Sequence, residues 1–258
     1  MQKQSQIDKN FSYSNNIILE LKKKFQPKPH LVIAKPMTYA VTDVKMSEYA
    51  IDSINKVRLD NGKNPISHDS RAYDLALARA KDMYKYDYLD HKNPHTGTCS
   101  NNLKSEFGFD QKEGLVENAA IYNVQQDLAG PPVTDIIDAW MKSTGHKYNL
   151  LYYDHKSGGF ACYGRYCVFL GVSDGGYTGS TSTECHTAKE GERFFAKLAN
   201  CSDQKMLDYE SLQKQFKEIR MEYEKIPSVT HSEIEYLKAK AVHDDLDDLR
   251  KKLESFEC

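Results

Sequence analysis

The sequence predicts an α+β protein that ends in an antiparallel helical hairpin. Apolar residues recur at helical spacing in three segments before residue 146. Two short β-runs, "GGFACY" and "YCVFLGV", then follow one another with a gap of hairpin length. The final segment, 203–258, carries two apolar stripes of heptad spacing. Separate runs of helix and strand are typical of the α+β class.

The chain of 258 residues suits one domain with an appendage, or two small domains. Its net charge of -2 argues against a nucleic-acid partner, because such binders normally present a basic face. Its apolar runs are shorter than the roughly 18 residues that a membrane-spanning helix needs, so we expect no transmembrane segment. The opening "MQKQSQIDKNFSYSNN" has no apolar core and does not resemble a secretory signal, so the export route stays open.

We predict four consecutive regions along the chain. Residues 1–44 form an N-terminal extension, in which the proline-bracketed "PKPHLVIAKP" should be extended. Residues 45–174 form the main domain. Residues 175–202 are a linker rich in glycine, serine and threonine, together with the start of a helix. Residues 203–258 form the helical hairpin.

Three helices are predicted within the main domain. The first begins near Ser47, and the glycine and proline of "DNGKNP" end it. The second begins at Ser67 or Asp69 and runs into "YKYDYLDH". Pro131 and Pro132 open the third, because proline suits the first helical turn. The three buried stripes are Ala50, Ile54 and Val57; Ala72, Ala76, Ala80 and Met83; and Val133, Ile136, Ile137 and Trp140.

The remainder of the main domain is predicted to be loops and one β-hairpin. The segment 103–116 is expected to be a loop with a short helix. Gly145 should cap the third helix, which leaves His146 as the first residue beyond it. His155 is expected in a surface turn. The two β-runs should pair across the short loop at 163–166, which contains a glycine.

The C-terminal stripes predict two helices that fold back on each other. Pro227 separates them, and so short a connection favours an antiparallel pair. Such a hairpin offers a surface for a protein partner or for self-association through residues 203–258. The stripes are Leu212, Phe216, Ile219, Tyr223 and Ile226, and then Ala239, Val242, Leu246, Leu249, Leu253 and Phe256.

The six cysteines predict disulfides, because no C-x-x-C pair points to a zinc-thiolate site. An even number of cysteines at wide spacing favours an oxidising, extracellular compartment. Counting back across the hairpin turn brings Cys258 within one helical turn of Cys201. Two more cysteines flank the tight turn of the β-hairpin, and the last two pair by elimination. The expected pairs are Cys201 with Cys258, Cys162 with Cys167, and Cys99 with Cys185.

Three ionisable side chains stand at or near the ends of predicted elements, and they are the candidate site residues. His91 ends the second helix, Glu117 lies in "LVENAA", and His146 follows the third helix. Two imidazoles and a carboxylate can hold a metal ion. The same three groups can also form a polar cluster that hydrogen bonds satisfy. Their spacing alone leaves both interpretations open.

Several motifs resemble the prokaryotic branch of the CAP superfamily, which comprises cysteine-rich secretory proteins, antigen 5 and pathogenesis-related 1 proteins and is also called the SCP domain. Members carry a helix ending in F-S-H, then G-E-N, then W-M-x-S-P-G-H-x-x-N-I-L, then a β-hairpin. This chain has "LDH" at 89–91, "VEN" at 116–118 and "WMKSTGHKYNLL" at 140–151, followed by "GGFACYGRYCVFLGV". The resemblance covers roughly residues 45–174.

The resemblance implies a three-layer α-β-α sandwich on which His91, Glu117 and His146 converge in a shallow cavity. In the animal and plant branches, a further histidine comes from G-H-Y-T-Q. Arg165 stands at that position here, so the resemblance implies that Arg165 lines the cavity and weakens zinc binding.

Two functions are compatible with these expectations, and the resemblance also permits a third, the carriage of a lipid or sterol, although the sequence shows no long apolar groove pattern that favours it. The first is a secreted, non-enzymatic binding or interaction module. The alternative is a hydrolase that depends on a divalent metal such as zinc, with His91 and His146 as ligands and Glu117 as general base.

Overall fold

The computed structural model describes residues 41–122, 131–174, 185–227 and 232–258. Within these ranges the chain forms seven α-helices and four strands. In chain order they are α1 (Val44–Asp60), β1 (Ser67–His68), α2 (Ser70–Tyr86), β2 (Gly114–Ile121), α3 (Val133–Met141), α4 (Thr144–Leu150), β3 (His155–Tyr163), β4 (Tyr166–Ser173), α5 (Ala188–Leu198), α6 (Asp203–Tyr223) and α7 (Glu233–Glu254). The first forty residues of the predicted N-terminal extension, and residues 175–184 of the predicted linker, lie outside the described residues.

The strands form one sheet in the order β1-β3-β4-β2. β4 runs antiparallel to both of its neighbours, whereas β1 pairs in parallel with β3. The predicted β-hairpin is present, with Cys162 directly opposite Cys167. Gly164 occupies its turn with a φ of 59°, a left-handed conformation that glycine adopts without a steric penalty.

Helices cover both faces of this sheet. α1 and α3 pack on one face, against Phe160 and Phe169. α2 packs on the other face, against Ala161 and Leu170 of the same two strands. Because successive residues of a strand point to opposite faces, β3 and β4 contribute to both cores at once. The α+β class and the α-β-α sandwich are therefore confirmed.

The predicted helices begin and end close to the expected positions. Asp43 caps α1 by accepting a hydrogen bond from the backbone N–H of Met46 at 2.9 Å. Asp69, one of the two expected starting points, caps α2 and accepts from the N–H of Arg71. The apolar stripes of both helices are buried, as their spacing predicted, except that Val57 is half-buried.

The boundary after the third predicted helix was wrong. α3 ends at Met141, and a separate helix, α4, begins at Thr144 after the extended backbone of Ser143. Gly145 therefore lies in the first turn of α4 and is not a C-terminal cap. Its lack of a side chain serves packing, because a Cβ atom there would stand 2.8 Å from the Phe195 ring.

The segment 103–116 contains one short 3-10 helix, Ser105–Phe107, before β2 begins at Gly114, and another 3-10 helix, Ser100–Leu103, comes just before it. β2 pairs with β4 along its whole length, from Gly114 opposite Ser173 to Ile121 opposite Tyr166. Sequence analysis did not predict this strand, because "GLVENAAI" carries two polar residues in its middle. Pairing with β4, a tertiary interaction, outweighs its weak local preference.

The C-terminal region folds back on the main domain. α6 and α7 form an antiparallel hairpin that is joined at its base by the Cys201–Cys258 disulfide, and Tyr209, Leu249 and Leu253 are buried. The structure contains all three expected disulfides. Their Cα–Cα distances are 5.7 Å for Cys99–Cys185, 4.1 Å for Cys162–Cys167 and 4.9 Å for Cys201–Cys258.

Candidate functional site

A cavity of about 560 Å³ lies beside β2, which is an edge strand of the sheet. His91, Glu117 and His146 all line it, together with Asn118. Neighbouring residues of β2 point to opposite faces, and because the strand is at the edge, Glu117 and Asn118 both reach the cavity. The structure thus brings together the three residues that the sequence singled out.

Glu117 lines the cavity and forms hydrogen bonds through both of its carboxylate oxygens. Its Oε1 lies 3.0 Å from Nδ1 of His91. Its Oε2 accepts hydrogen bonds from Nε of Arg79, at 3.0 Å, and from the hydroxyl of Ser100. Burial alone would raise the pKa of Glu117, but the charge of Arg79 and the hydrogen bond with His91 outweigh it and lower the pKa to about 2.

Arg79 is the buried cation behind Glu117, and its side chain is only 1% exposed. Beyond Glu117, its guanidinium binds Asp82, the hydroxyl of Tyr88 and the backbone carbonyl of His91. A buried charge is costly unless it is paired and hydrogen-bonded, and Arg79 is both.

Sequence analysis missed Arg79, although a signal was present. Arg79 lies between Ala76 and Ala80 on α2, within one turn of the apolar residues that form the buried stripe. A cation on the core-facing side of a helix implies a buried acidic partner.

His91 and His146 have opposite electrostatic properties. Burial lowers the pKa of His91, but the hydrogen bond and charge of Glu117 outweigh it, and the net pKa is raised. Burial and the nearby charge of His91 lower the pKa of His146. Near neutral pH, His146 is therefore a neutral imidazole beside a His91–Glu117 pair.

A chain of buried amides holds the segment that carries His146. Nδ2 of Asn118 donates to the backbone carbonyl of His146 at 3.0 Å, and Nδ2 of Asn149 donates to Oδ1 of Asn118 at 2.9 Å. His155 completes the chain, with Nε2 at 2.8 Å from Oδ1 of Asn149.

His155 was expected in a surface turn, and this was wrong, because it begins β3 and is 3% exposed. Burial and the positive charge of Arg58 lower its pKa to about 3. Its position follows from the pairing of β3 with β4, where it lies opposite Ser173.

Arg165 does not line the cavity, so this implication of the resemblance is corrected. It lies in the turn between β3 and β4, where its guanidinium binds Oδ1 of Asp87 at 3.0 Å and lies over the ring of Tyr166. That turn is at the Ile121 end of β2. Glu117 lies four residues closer to the start of the strand, away from this turn.

The site residues do not fit the proposed metal centre. In the described ranges, no group of three His, Cys, Asp or Glu side chains is arranged to hold a metal ion. The oxygens of Glu117 already accept hydrogen bonds from Arg79, Ser100 and His91. To bind a metal ion, Glu117 would have to give up these hydrogen-bond partners.

Helix α5 forms one wall of the cavity. Gly191, Phe195 and Ala196 of this helix line it, as do His186 and Thr187 just before. Thr187 and Glu190 form a capping box at its N-terminus. Sequence analysis assigned this segment to a linker and the start of a helix, and it did not predict that the segment reaches the cavity.

The comparisons with known proteins agree with this fold. Residues 51–169 match the model of the cysteine-rich secretory protein family, CAP. The uncharacterized protein YkwD of Bacillus subtilis (strain 168) is 30% identical over 101 residues, which is 39% of this chain. The match spans 36% of that relative's length.

Three solved structures are similar at lower identity. An extracellular protein with an SCP domain from Bacillus anthracis is 20% identical, with a TM-score of 0.43 over 49% of this chain and 40% of its own. An outer surface protein of Borrelia burgdorferi is 18% identical, with a TM-score of 0.42 over 52% of this chain and 98% of its own. A cysteine-rich secretory protein from Staphylococcus aureus is 16% identical, with a TM-score of 0.36 over 51% and 40%.

The helices of the described ranges are all too short or too polar to cross a membrane. The matched segment contains His91, Glu117 and His146, as well as the whole sheet except the last residues of β4. Residues 51–169 of this chain are therefore a domain of the cysteine-rich secretory protein (CAP) family.

Proposed function

We propose that this chain is an extracellular, non-enzymatic binding protein, and that its cavity beside β2 holds a small ligand. The observation that carries the proposal is that both carboxylate oxygens of Glu117 are already hydrogen-bonded. A general base needs a pKa near the working pH and an oxygen that can reach water. Glu117, with a pKa lowered to about 2 and both oxygens bound, has neither property.

The cavity instead offers fixed hydrogen-bonding groups. Glu117 holds His91 by a hydrogen bond, and neutral His146 can both donate and accept. Phe195 and Leu115 add apolar surface. A mostly apolar pocket with a few placed polar groups is typical of small-ligand sites.

An extracellular location is supported by two observations. Three disulfides in one chain are typical of proteins from oxidising compartments. The names of similar solved proteins also describe extracellular and outer-surface proteins.

One experiment separates this binding protein from the metal-dependent hydrolase that the sequence also allowed. Metal content and hydrolysis of casein are measured for the full chain, for the double variant His91→Ala/His146→Ala, and for the control His95→Ala, which lies outside the cavity. We expect no casein hydrolysis and the same metal content in all three proteins.

The opposite result would establish the hydrolase. That result is one equivalent of metal and casein hydrolysis in the full chain and in His95→Ala, with both lost in the double variant. For the binding function itself, the full chain is screened by NMR against small amphipathic compounds. Shifts in the imidazole signals of His91 and His146 are expected, and a complete screen that leaves both signals unchanged would contradict a ligand site.

We also propose that the hairpin supplies a surface for association with a second copy of this chain. Apolar side chains are exposed at the end of the hairpin that lies away from the Cys201–Cys258 disulfide. Ile234 is 67% exposed, and Tyr236 and Leu237 are each 56% exposed. A cluster of exposed apolar side chains is typical of a surface that contacts another protein chain.

A further inference from the structure

We propose that helix α5 is a cover over the cavity and that the Cys99–Cys185 disulfide holds it closed, so that the state of this bond controls access to His146. This inference rests on the proposed function, since it concerns regulation of the same cavity. It also concerns a part of the chain, 185–198, that lies outside the segment matched by the family model.

The disulfide joins the covering segment directly to the cavity wall. Cys99 is buried and immediately precedes Ser100, whose hydroxyl donates to Glu117. Cys185 stands three residues before α5. The N–H of Ala188 adds a second attachment by donating to Oδ1 of Asp90 at 2.9 Å. This disulfide and this hydrogen bond therefore attach the N-terminal end of the cover to the main domain.

The body of the cover forms one wall of the cavity and packs on α4. The Phe195 ring lies against Gly145, the residue before His146, and 5.4 Å from the ring of Tyr148 between centroids. Any side chain at position 145 would collide with this ring. His146 and Phe195 thus face one cavity from neighbouring positions.

The other end of the cover is attached separately, to the hairpin. Leu198 is buried in a cluster with Tyr209 and Leu253. The Cys201–Cys258 disulfide follows three residues later. Loss of the Cys99–Cys185 bond would therefore release only the N-terminal end of α5, and the helix could swing about its C-terminal attachment.

Opening the bond is a two-electron reduction. A dithiol, either a small molecule or a protein, supplies two electrons and two protons in thiol–disulfide exchange. The S–S bond breaks, Cys99 and Cys185 become thiols, and the dithiol becomes a disulfide. Oxidation reverses each step.

The test measures how fast diethyl pyrocarbonate modifies each histidine, with mass spectrometry to locate the product. This reagent attacks neutral imidazole, the form expected for His146 near neutral pH. The full chain is compared with Cys99→Ser/Cys185→Ser. The matched control is Cys201→Ser/Cys258→Ser, which removes the other disulfide of the C-terminal region. Exposed His243 and buried His155 serve as internal references.

We expect modification of His146 to be about fivefold or more faster in Cys99→Ser/Cys185→Ser, as for a locally opened segment. The rates at His243 and His155 should stay unchanged, and the control variant should behave like the full chain. Equal rates of His146 modification in all three proteins would overturn the proposal that α5 covers the cavity.

Fast modification of His155 would reveal that the double cysteine variant has unfolded. In that case a second variant tests the proposal. Phe195→Ala keeps the disulfide and removes the ring over Gly145, so His146 should again react faster while His155 does not. An unchanged rate would overturn the proposal. The readout needs no ligand, so failure of the cover and failure of the ligand screen are distinguishable.

Discussion

The Arg79–Glu117 ion pair decides the chemistry of the cavity at the scale of single residues. Both partners are buried, with side-chain exposures of 1% and 6%. The pair fixes the carboxylate in its ionised form and orients it towards His91. A carboxylate held in this way organises neighbouring groups and is a poor acceptor for a further proton.

Replacement of Glu117 by glutamine should destabilise the protein strongly. The amide keeps the shape of the side chain but leaves Arg79 as a buried charge without its main counter-charge, which typically costs about 3–5 kcal/mol. Urea unfolding at neutral pH measures the change in the free energy of unfolding. The control is Asp247→Asn, which breaks the exposed pair with Arg250 and should have little effect. Equal stability of Glu117→Gln and the unmodified chain would contradict the role of the pair.

The effect of Glu117→Gln should depend on pH. The folded-state pKa of Glu117 is lowered, so its contribution to stability is fully present above its unfolded-state pKa and is lost as the pH falls towards about 2. The folded-state pKa of His91 is raised, so the stability that His91 contributes is lost as the pH rises through this raised pKa. The stability difference between the two proteins should therefore shrink between about pH 4.5 and pH 2.

Two glycines that face Phe195 test the packing between elements. A Cβ atom at Gly145 would stand 2.8 Å from the Phe195 ring, whereas one at Gly191 would stand at 3.9 Å, an ordinary contact. Gly145→Ala should therefore displace the ring and cost about 1–3 kcal/mol. Gly191→Ala, in the middle of α5, should be neutral or stabilising by about 0.5–1 kcal/mol.

Thermal unfolding of the two alanine variants compares these outcomes directly. The same substitution is made at two positions beside one ring, so helix propensity cannot explain a difference of opposite sign. If Gly145→Ala were as stable as Gly191→Ala, the close packing of α5 on α4 would be contradicted.

At the scale of the whole molecule, α6 attaches the hairpin to the main domain. Lys63 binds Glu210 and Lys217 binds Asp154 across this contact. The buried amide of Gln213 donates to the hydroxyl of Tyr148 at 3.0 Å. Burial and neighbouring groups raise the pKa of Tyr148 well above its usual value, so this hydroxyl stays protonated. With α6 engaged in this way, α7 carries much of the hairpin's exposed surface.

Self-association through the hairpin should depend on the exposed apolar residues near the start of α7. The double variant Ile234→Ser/Leu237→Ser removes two of them without touching the buried Leu249 and Leu253. Light scattering of the full chain should give a dimer, and that of the variant a monomer. A control variant, Leu59→Ser, changes an exposed apolar residue of α1 and should remain dimeric. A monomeric full chain would refute self-association.

Local patterns were sufficient for much of this architecture. Helical spacing identified α1, α2 and the two hairpin helices, and the four-residue gap between Cys162 and Cys167 identified the β-hairpin. β2 and α4 were missed because they depend on contacts with distant segments. The same reason explains His155, which is buried by strand pairing and not by its own sequence context.

The sequence by itself determined the elements whose stabilising contacts are periodic or close along the chain: the amphipathic helices, the tight turn with its disulfide, and the disulfide at the base of the helical hairpin. Only the tertiary structure decided that Arg79 neutralises Glu117, that Arg165 binds Asp87 away from the cavity, and that α5 lines the same cavity as His146. The physical reason is that each of these contacts joins segments tens of residues apart. Spacing and composition carry information about which face of an element is buried, but not about which distant side chain it meets there.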